Sequence, residues 1–210
     1  MASYNAPAMK LRLGFLASHG GSNVQAILDA CREGRLEAEP CVVISNNSDA
    51  HVLDRAQAAR VPAFHLSSHT HPDPIRLDDA ILAILEKHRV NLIVLAGYMK
   101  KLGPKTLARY RGRVLNIHPA LLPKFGGRGM YGHHVHEAVL AAHEKESGAT
   151  VHIADAEYDE GRILAQQKVP VLPDDTPDSL AARVLTVEHR LYAETLQRIA
   201  SGEIKLEALE

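Results

Sequence analysis

Cysteine is scarce in this chain: of 210 residues only Cys31 and Cys41 carry a thiol. Two cysteines do not build a disulfide scaffold, and neither stands at a spacing used for zinc. Cys31 falls in a helix-like segment and Cys41 in a strand-like one, so both are expected as buried apolar thiols. Charge of one sign is missing as well: 24 Lys and Arg stand against 25 Asp and Glu, a formal net charge of −1. That excludes the basic footprint used for nucleic acid or an anionic membrane surface. It points to small-molecule substrates, with any phosphate bound as one local group. No apolar run approaches the roughly 18 residues that span a bilayer. Residues 1–9 lack the basic start and apolar segment of a secretory signal. They are expected to form a flexible tail ahead of a single domain over 10–210, and the expected location is cytoplasmic.

What is present is a chain long enough to bury a sizeable core, with apolar runs that alternate with helix-period stretches. Lys10–Ala17, Glu39–Ser45, Ala63–Leu66 and Asn91–Ala96 read as strands. Asn91–Ala96 is the most continuously aliphatic and is expected near the centre of a sheet covered on both faces. Strand–helix alternation implies an α/β fold with a doubly wound, mostly parallel sheet. Pro104 suits the first turn of a short helix to about Tyr110, and a further helix is expected from His133 to about Glu146. Ala149–Ala154 and Ile163–Leu172, joined by the short acidic turn Asp155–Gly161, read as a late antiparallel hairpin. Thr176 and Pro177 open the last helix, with Leu180, Val184, Val187, Leu191, Leu196 and Ile199 inward.

Three polar features stand out against that frame. The first strand runs into Ser18-His-Gly-Gly-Ser-Asn23 and then a helix. Such a turn allows close ligand approach, and the helix end offers free N–H groups to a phosphate or carboxylate. The alternative is a tight turn in which Ser22 merely caps the helix. The second feature is Val114-Leu-Asn-Ile-His118, stopped by Pro119. Strand alternation puts Asn116 and His118 on one face at a strand end, where ligands of open α/β sheets sit. The third is the acidic turn, whose carboxylates could orient a histidine and raise its pKa. An amide donor, an imidazole and an acid suit attack on a carbonyl-type carbon, with the oxyanion held by the amide. No activated Ser or Cys nucleophile is evident, which favours direct transfer between two bound substrates. Each residue also has a plain structural reading: a hydrogen-bonded His, a backbone-bonding Asn and a turn acid. His133, His134, His136 and His143 lack the spacing and carboxylate of a zinc helix, so no metal is expected.

Four motifs carry a resemblance: Ser-x-x-Gly-Ser-Asn at 18–23, Leu-Ala-Gly-Tyr-Met at 95–99, Asn-Ile-His-Pro-Ala-Leu-Leu-Pro-Lys at 116–124, and the acidic turn ending Asp159-Glu-Gly161. With them the chain resembles the folate-dependent formyltransferase family, in particular its phosphoribosylglycinamide formyltransferases, over nearly its whole length. The resemblance implies formyl transfer from 10-formyltetrahydrofolate, as co-substrate, to the amine of 5′-phosphoribosylglycinamide in de novo purine biosynthesis. It implies Asn116, His118 and Asp159 as the catalytic set, with a protonated His118 held charged by Asp159. The ribonucleotide would be bound by Gly21, Ser22, Asn23 and Glu188. The folate would be bound by Arg76, Met99, Lys100, Lys101, Leu102 and Asn116. A cis bond is implied at Leu122-Pro123, and the protein is expected as a monomer or homodimer. The Gly-rich stretch Phe125–Gly132 departs from the Pro-Gly loop common in the family. Other members with a different acceptor (a deformylase, a sugar-nucleotide or a methionyl-tRNA formyltransferase) are the nearest competing readings. A module that kept the fold and lost the reaction is a third.

Overall fold

A computed structural model of the protein describes residues 10–206. The tail expected over 1–9 lies outside the described residues. In chain order the elements are β1 (Leu11–Ala17), α1 (Ser22–Arg32), β2 (Ala38–Ser45), α2 (His51–Ala58), β3 (Ala63–His65), α3 (Pro74–Lys87) and β4 (Leu92–Leu95). They continue as α4 (Pro104–Arg109), β5 (Val114–His118), α5 (His133–Ala141), β6 (Glu146–Ile153), β7 (Ile163–Pro170) and α6 (Pro177–Ala200).

The seven strands form one sheet in the order β3-β2-β1-β4-β5-β6-β7. β1 to β5 pair in parallel, while β6 and β7 add in antiparallel fashion, as the short acidic connection requires. The chain winds outward from β1 to β3, then returns to place β4 on the other side of β1. That reversal opens a crevice at the carboxyl ends of β1 and β4, the topological switch point.

Alternation along the strands sorts the core into two layers. Leu11, Leu13, Phe15 and Ala17 of β1 pack with Leu115, Ile117, Val151 and Ile153 against α1 and α6. Leu16, Ile44, Ile93 and Val114 pack on the opposite face against Ile81 and Leu85 of α3. On that second face the residues of β5 and β6 turn polar: Asn116, His118, Thr150 and His152, which face one another across the β5–β6 pair. The buried Tyr192 of α6 places its hydroxyl 3.0 Å from the carbonyl oxygens of both Leu95 and Leu115. One side chain thereby ties α6 to the end of β4 and to β5, the strand that carries Asn116 and His118.

The two largest boundary differences from the sequence expectation adjoin each other. α5 ends at Ala141 instead of near Glu146, and β6 begins at Glu146 instead of Ala149. His143 adopts a left-handed φ of 52°, which ends the helix, and Glu146 is already in register with Pro170 of β7. Sheet pairing therefore takes the residues that helical periodicity would have kept. No helix of the described residues is long and apolar enough to cross a membrane.

Candidate active site

The turn after β1 is built around Gly21. It adopts φ 68°, and a Cβ there would lie 2.3 Å from Cγ2 of Val52 on α2. Only glycine fits both the left-handed backbone and the close approach of α2. Gly21 is the N-cap of α1, without a side-chain cap hydrogen bond. Ser22 is thus the first helical residue and not the cap, leaving the amide end of α1 open to an anion. Asn23 turns inward instead: its Nδ2 donates to Oε2 of Glu188 at 2.7 Å, joining α1 to α6. Its Oδ1 is buried without a hydrogen-bond partner in the described structure. The switch-point loops are tied to each other, since Ser18 N donates to Gly97 O at 3.0 Å and Met99 N donates to Ser18 Oγ at 2.7 Å.

Asn116, His118 and Asp159 converge at the end of β5. Nδ1 of His118 lies 3.6 Å from Oδ2 of Asp159, and its Nε2 donates to the carbonyl of Phe125 at 2.7 Å. Asp159, held at φ 59°, accepts on the same Oδ2 from the Gly127 amide at 2.9 Å. A second histidine completes the group: Nε2 of His152 lies 3.4 Å from Oδ1 of Asp159 and 3.1 Å from Nδ2 of Asn116. Nδ1 of His152 donates to its neighbour's carbonyl, Ile153 O, at 2.9 Å. Neutral His152 therefore accepts from the Asn116 amide through Nε2, and protonated His152 donates to Asp159 instead. Leu122-Pro123 is cis, and Thr150 fixes this loop by accepting from Leu122 N at 3.1 Å and donating to Ala120 O at 2.6 Å.

A separate cleft of about 630 Å³, lined by none of Asn116, His118, His152 and Asp159, opens between α3 and the segment 98–105. Lys100 and Lys101 line it together with Tyr98, Ile75 and Lys105. Met99 is exposed and Leu102 is buried, while Lys101 Nζ stands 5.2 Å from the ring centre of Tyr158, on the acidic turn. Arg76 is not brought into the lining: it is exposed, with Asp73 3.9 Å away. The histidines of α5 scatter, His133 beside Asp178 at 3.6 Å and His134 beside Glu137 at 3.3 Å, with His136 buried.

With this geometry in hand, residues 11–196 match the family model described as formyl transferase. The chain belongs to the formyl transferase family. It is 38% identical to the phosphoribosylglycinamide formyltransferase of Haemophilus influenzae, over 93% of this chain and 90% of that protein. Glycinamide ribonucleotide transformylase 1 from Symbiobacterium toebii superposes with a TM-score of 0.88 at 40% identity, covering 95% of this chain and 92% of that one. A formyltetrahydrofolate deformylase from Pseudomonas syringae shares the fold, with a TM-score of 0.85 at 24% identity, but this chain covers only 65% of it.

Electrostatics refine the site of this formyl transferase. Burial pushes the His118 imidazole below its ordinary value, and the pull of Asp159 and the Phe125 carbonyl in the other direction does not overcome it. The expectation that Asp159 raises His118 holds for that one contribution and fails for the sum. Burial also works against ionisation of Asp159, yet His152, His118 and the Gly127 amide together hold its carboxyl below the usual range. Burial drives the Glu188 carboxyl upward, opposed only by the Asn23 hydrogen bond. Reading the sequence for site residues missed His152, although its alternation with Val151 and Ile153 marks the face it occupies. The Phe125 carbonyl and Gly127 amide left no side-chain signal to find.

Proposed function

We propose that this formyl transferase moves the formyl group of 10-formyltetrahydrofolate onto the primary amine of 5′-phosphoribosylglycinamide, a step of purine biosynthesis. The observation that carries the reading is one convergence: Asn116, His118 and Asp159 meet at the end of β5, with His152 bridging Asn116 and Asp159, while the uncapped amide end of α1 opens at the carboxyl end of β1, two strands away in the same sheet. The ribonucleotide phosphate takes the amides of Gly21, Ser22 and Asn23, with Glu188 behind them. The folate lies along Met99–Leu102 and the acidic turn. Lys100 and Lys101 reach its carboxylates from the cleft, and exposed Arg76 plays the smallest part.

In this mechanism the neutral amine attacks the formyl carbon and the carbonyl oxygen becomes an alkoxide. Asn116 donates to it through the amide N–H not used by His152, worth about 3 kcal/mol in the transition state. His118 has its Nε2–H committed to Phe125, so Nδ1 is the nitrogen free to take a proton. Because burial keeps this imidazole neutral at rest, the imidazolium forms during the step, as the amine nitrogen releases its proton through water. Asp159 then stabilises that cation. Collapse breaks the bond from the formyl carbon to folate N10, and the proton held on His118 Nδ1 passes to N10 through the same water, which restores the neutral imidazole and gives tetrahydrofolate and formylglycinamide ribonucleotide. Holding both substrates in line contributes several kcal/mol more, of the roughly 7–11 kcal/mol that orientation can supply.

Incubation with 10-formyltetrahydrofolate and glycinamide ribonucleotide, followed by folate absorbance, tests the assignment. Turnover dependent on the amine is expected, with kcat reduced on the order of 100-fold or more in His118→Ala. Formyl release without any amine would identify a deformylase. Near-wild-type turnover by His118→Ala at saturating substrates would remove His118 from the mechanism.

A further inference from the structure

The Gly-rich stretch after β5, where the sequence leaves its family's pattern, touches the reacting set at three consecutive residues. Phe125 gives its carbonyl to His118 Nε2 at 2.7 Å, and Gly127 gives its amide to Asp159 Oδ2 at 2.9 Å. Between them the Gly126 backbone packs so closely that a Cβ would stand 2.5 Å from Leu122 Cδ2 and 3.2 Å from Asp159 Cβ. Both ends of this contact are conformationally demanding. Phe125 and Asp159 hold left-handed φ values of 56° and 59°, a region uncommon for non-glycine residues that aspartate enters more readily than phenylalanine.

We propose that residues 125–127 are a backbone clamp that positions the His118–Asp159 couple, making this loop, and Gly127 above all, a positioning element for formyl transfer. The proposal rests on the reading of Asn116, His118 and Asp159 as the reacting set. Its logic is chemical. The Phe125 carbonyl fixes the neutral ring as the Nε2–H tautomer, so its lone pair on Nδ1 faces Asp159. The Gly127 amide holds Asp159 Oδ2 on that same side, so a proton arriving at Nδ1 finds its counter-charge already in place. No side chain supplies either contact. The clamp therefore depends on loop conformation alone, and Gly127 at φ 91° is the residue whose backbone an L side chain would disturb.

Gly129 provides an internal control. It has a near-identical φ of 89°, and like Gly127 it has open space where a Cβ would go. The same substitution therefore imposes the same kind of backbone strain, two residues away from the couple. Gly127→Ala, Gly127→Asn and Gly129→Ala are compared with wild type for thermal melting, kcat and both KM values. The ring titration of His118 in the ligand-free protein is followed by NMR. Gly127→Ala is expected to lower kcat about tenfold or more, with KM values within about twofold, as a misplaced catalytic group does. Its His118 midpoint is expected to fall, because the carboxylate is no longer held beside the ring. Gly127→Asn, which tolerates the left-handed region better, is expected to recover part of both effects. Gly129→Ala is expected to melt like Gly127→Ala while keeping the wild-type kcat and His118 midpoint. Equal kcat and equal His118 midpoints in Gly127→Ala and Gly129→Ala would overturn the clamp. If wild type fails to use the proposed substrates, the titration still decides the clamp, so the two failures are distinguishable.

Discussion

Asp78 on α3 offers a test of how the fold holds the segment assigned to folate. Its carboxylate is 3% exposed and accepts from Lys105 N at 2.8 Å, from Thr106 N at 3.1 Å and from the Thr106 hydroxyl. α4 has no cap of its own, since Gly103 occupies the N-cap without a side-chain bond. Asp78 is therefore an N-cap delivered by another helix. Asp78→Ala leaves three donors without an acceptor, at about 1–3 kcal/mol each if they stayed dry. Asp78 also lines the 630 Å³ cleft, so water can reach the orphaned groups and limit the total. The net loss is expected to be about 3 kcal/mol. For a chain of this size that corresponds to a fall of roughly 6–12 °C in Tm. Asp78→Asn should cost less, because its Oδ1 can still accept from both Thr106 groups and only the Lys105 amide is set against an N–H donor. Asp79→Ala removes only a half-exposed partner of Lys105 and should cost less than about 1 kcal/mol. Urea unfolding followed by circular dichroism gives both numbers. With α4 loosened, the folate KM should rise severalfold while kcat at saturation changes little. A stability loss in Asp78→Ala no larger than that in Asp79→Ala would refute the capping argument.

Two further perturbations follow from the anion turn and the residue behind it. Glu188 is an acid whose folded pKa is raised above its ordinary 4.5 by burial. The folded state therefore keeps a proton that the unfolded chain releases, and wild type loses stability as pH rises above 4.5 until the folded value is passed. Each unit of separation is worth about 1.4 kcal/mol. Glu188→Gln keeps an acceptor for Asn23 and removes the ionisation, so its stability should stay flat over that window and exceed wild type at pH 8. Identical pH profiles in denaturant titrations would count against a buried, neutral Glu188. Gly21→Ala forces a Cβ to 2.3 Å from Val52 Cγ2 at φ 68° and is expected to cost about 2–4 kcal/mol. Calorimetry should then show weaker ribonucleotide binding; unchanged binding would place the phosphate elsewhere.

Much of this was legible in the residues because the signals are local. Period-two alternation in Val114–His118 predicts a shared face for Asn116 and His118, and Gly21 predicts a turn that a larger side chain could not make. The short acidic link predicts that the strands on either side of it run antiparallel. Boundaries were less legible: the end of α5 and the start of β6 depend on pairing with Pro170 of β7, a partner 24 residues from Glu146. His152 was visible as a face but not as a member of the site, because its role comes from lying opposite Asn116 across a strand pair. Arg76 shows the reverse case: a charged residue at a plausible position, which the start of α3 turns away from the cleft.

The sequence by itself determined the order of elements, the polar pair at the end of β5, the glycine turn before α1 and the acid on the turn after β6. Those follow from backbone preferences and side-chain periodicity, which act over a few residues. Only the tertiary structure decided which way the balance of His118 falls, because burial sums over every neighbour while the sequence shows one carboxylate. It alone also revealed that Asp159 is held by the Gly127 amide and His118 by the Phe125 carbonyl. Backbone donors and acceptors are the same at every residue, so their partners are fixed by the path of the chain and not by the letters along it.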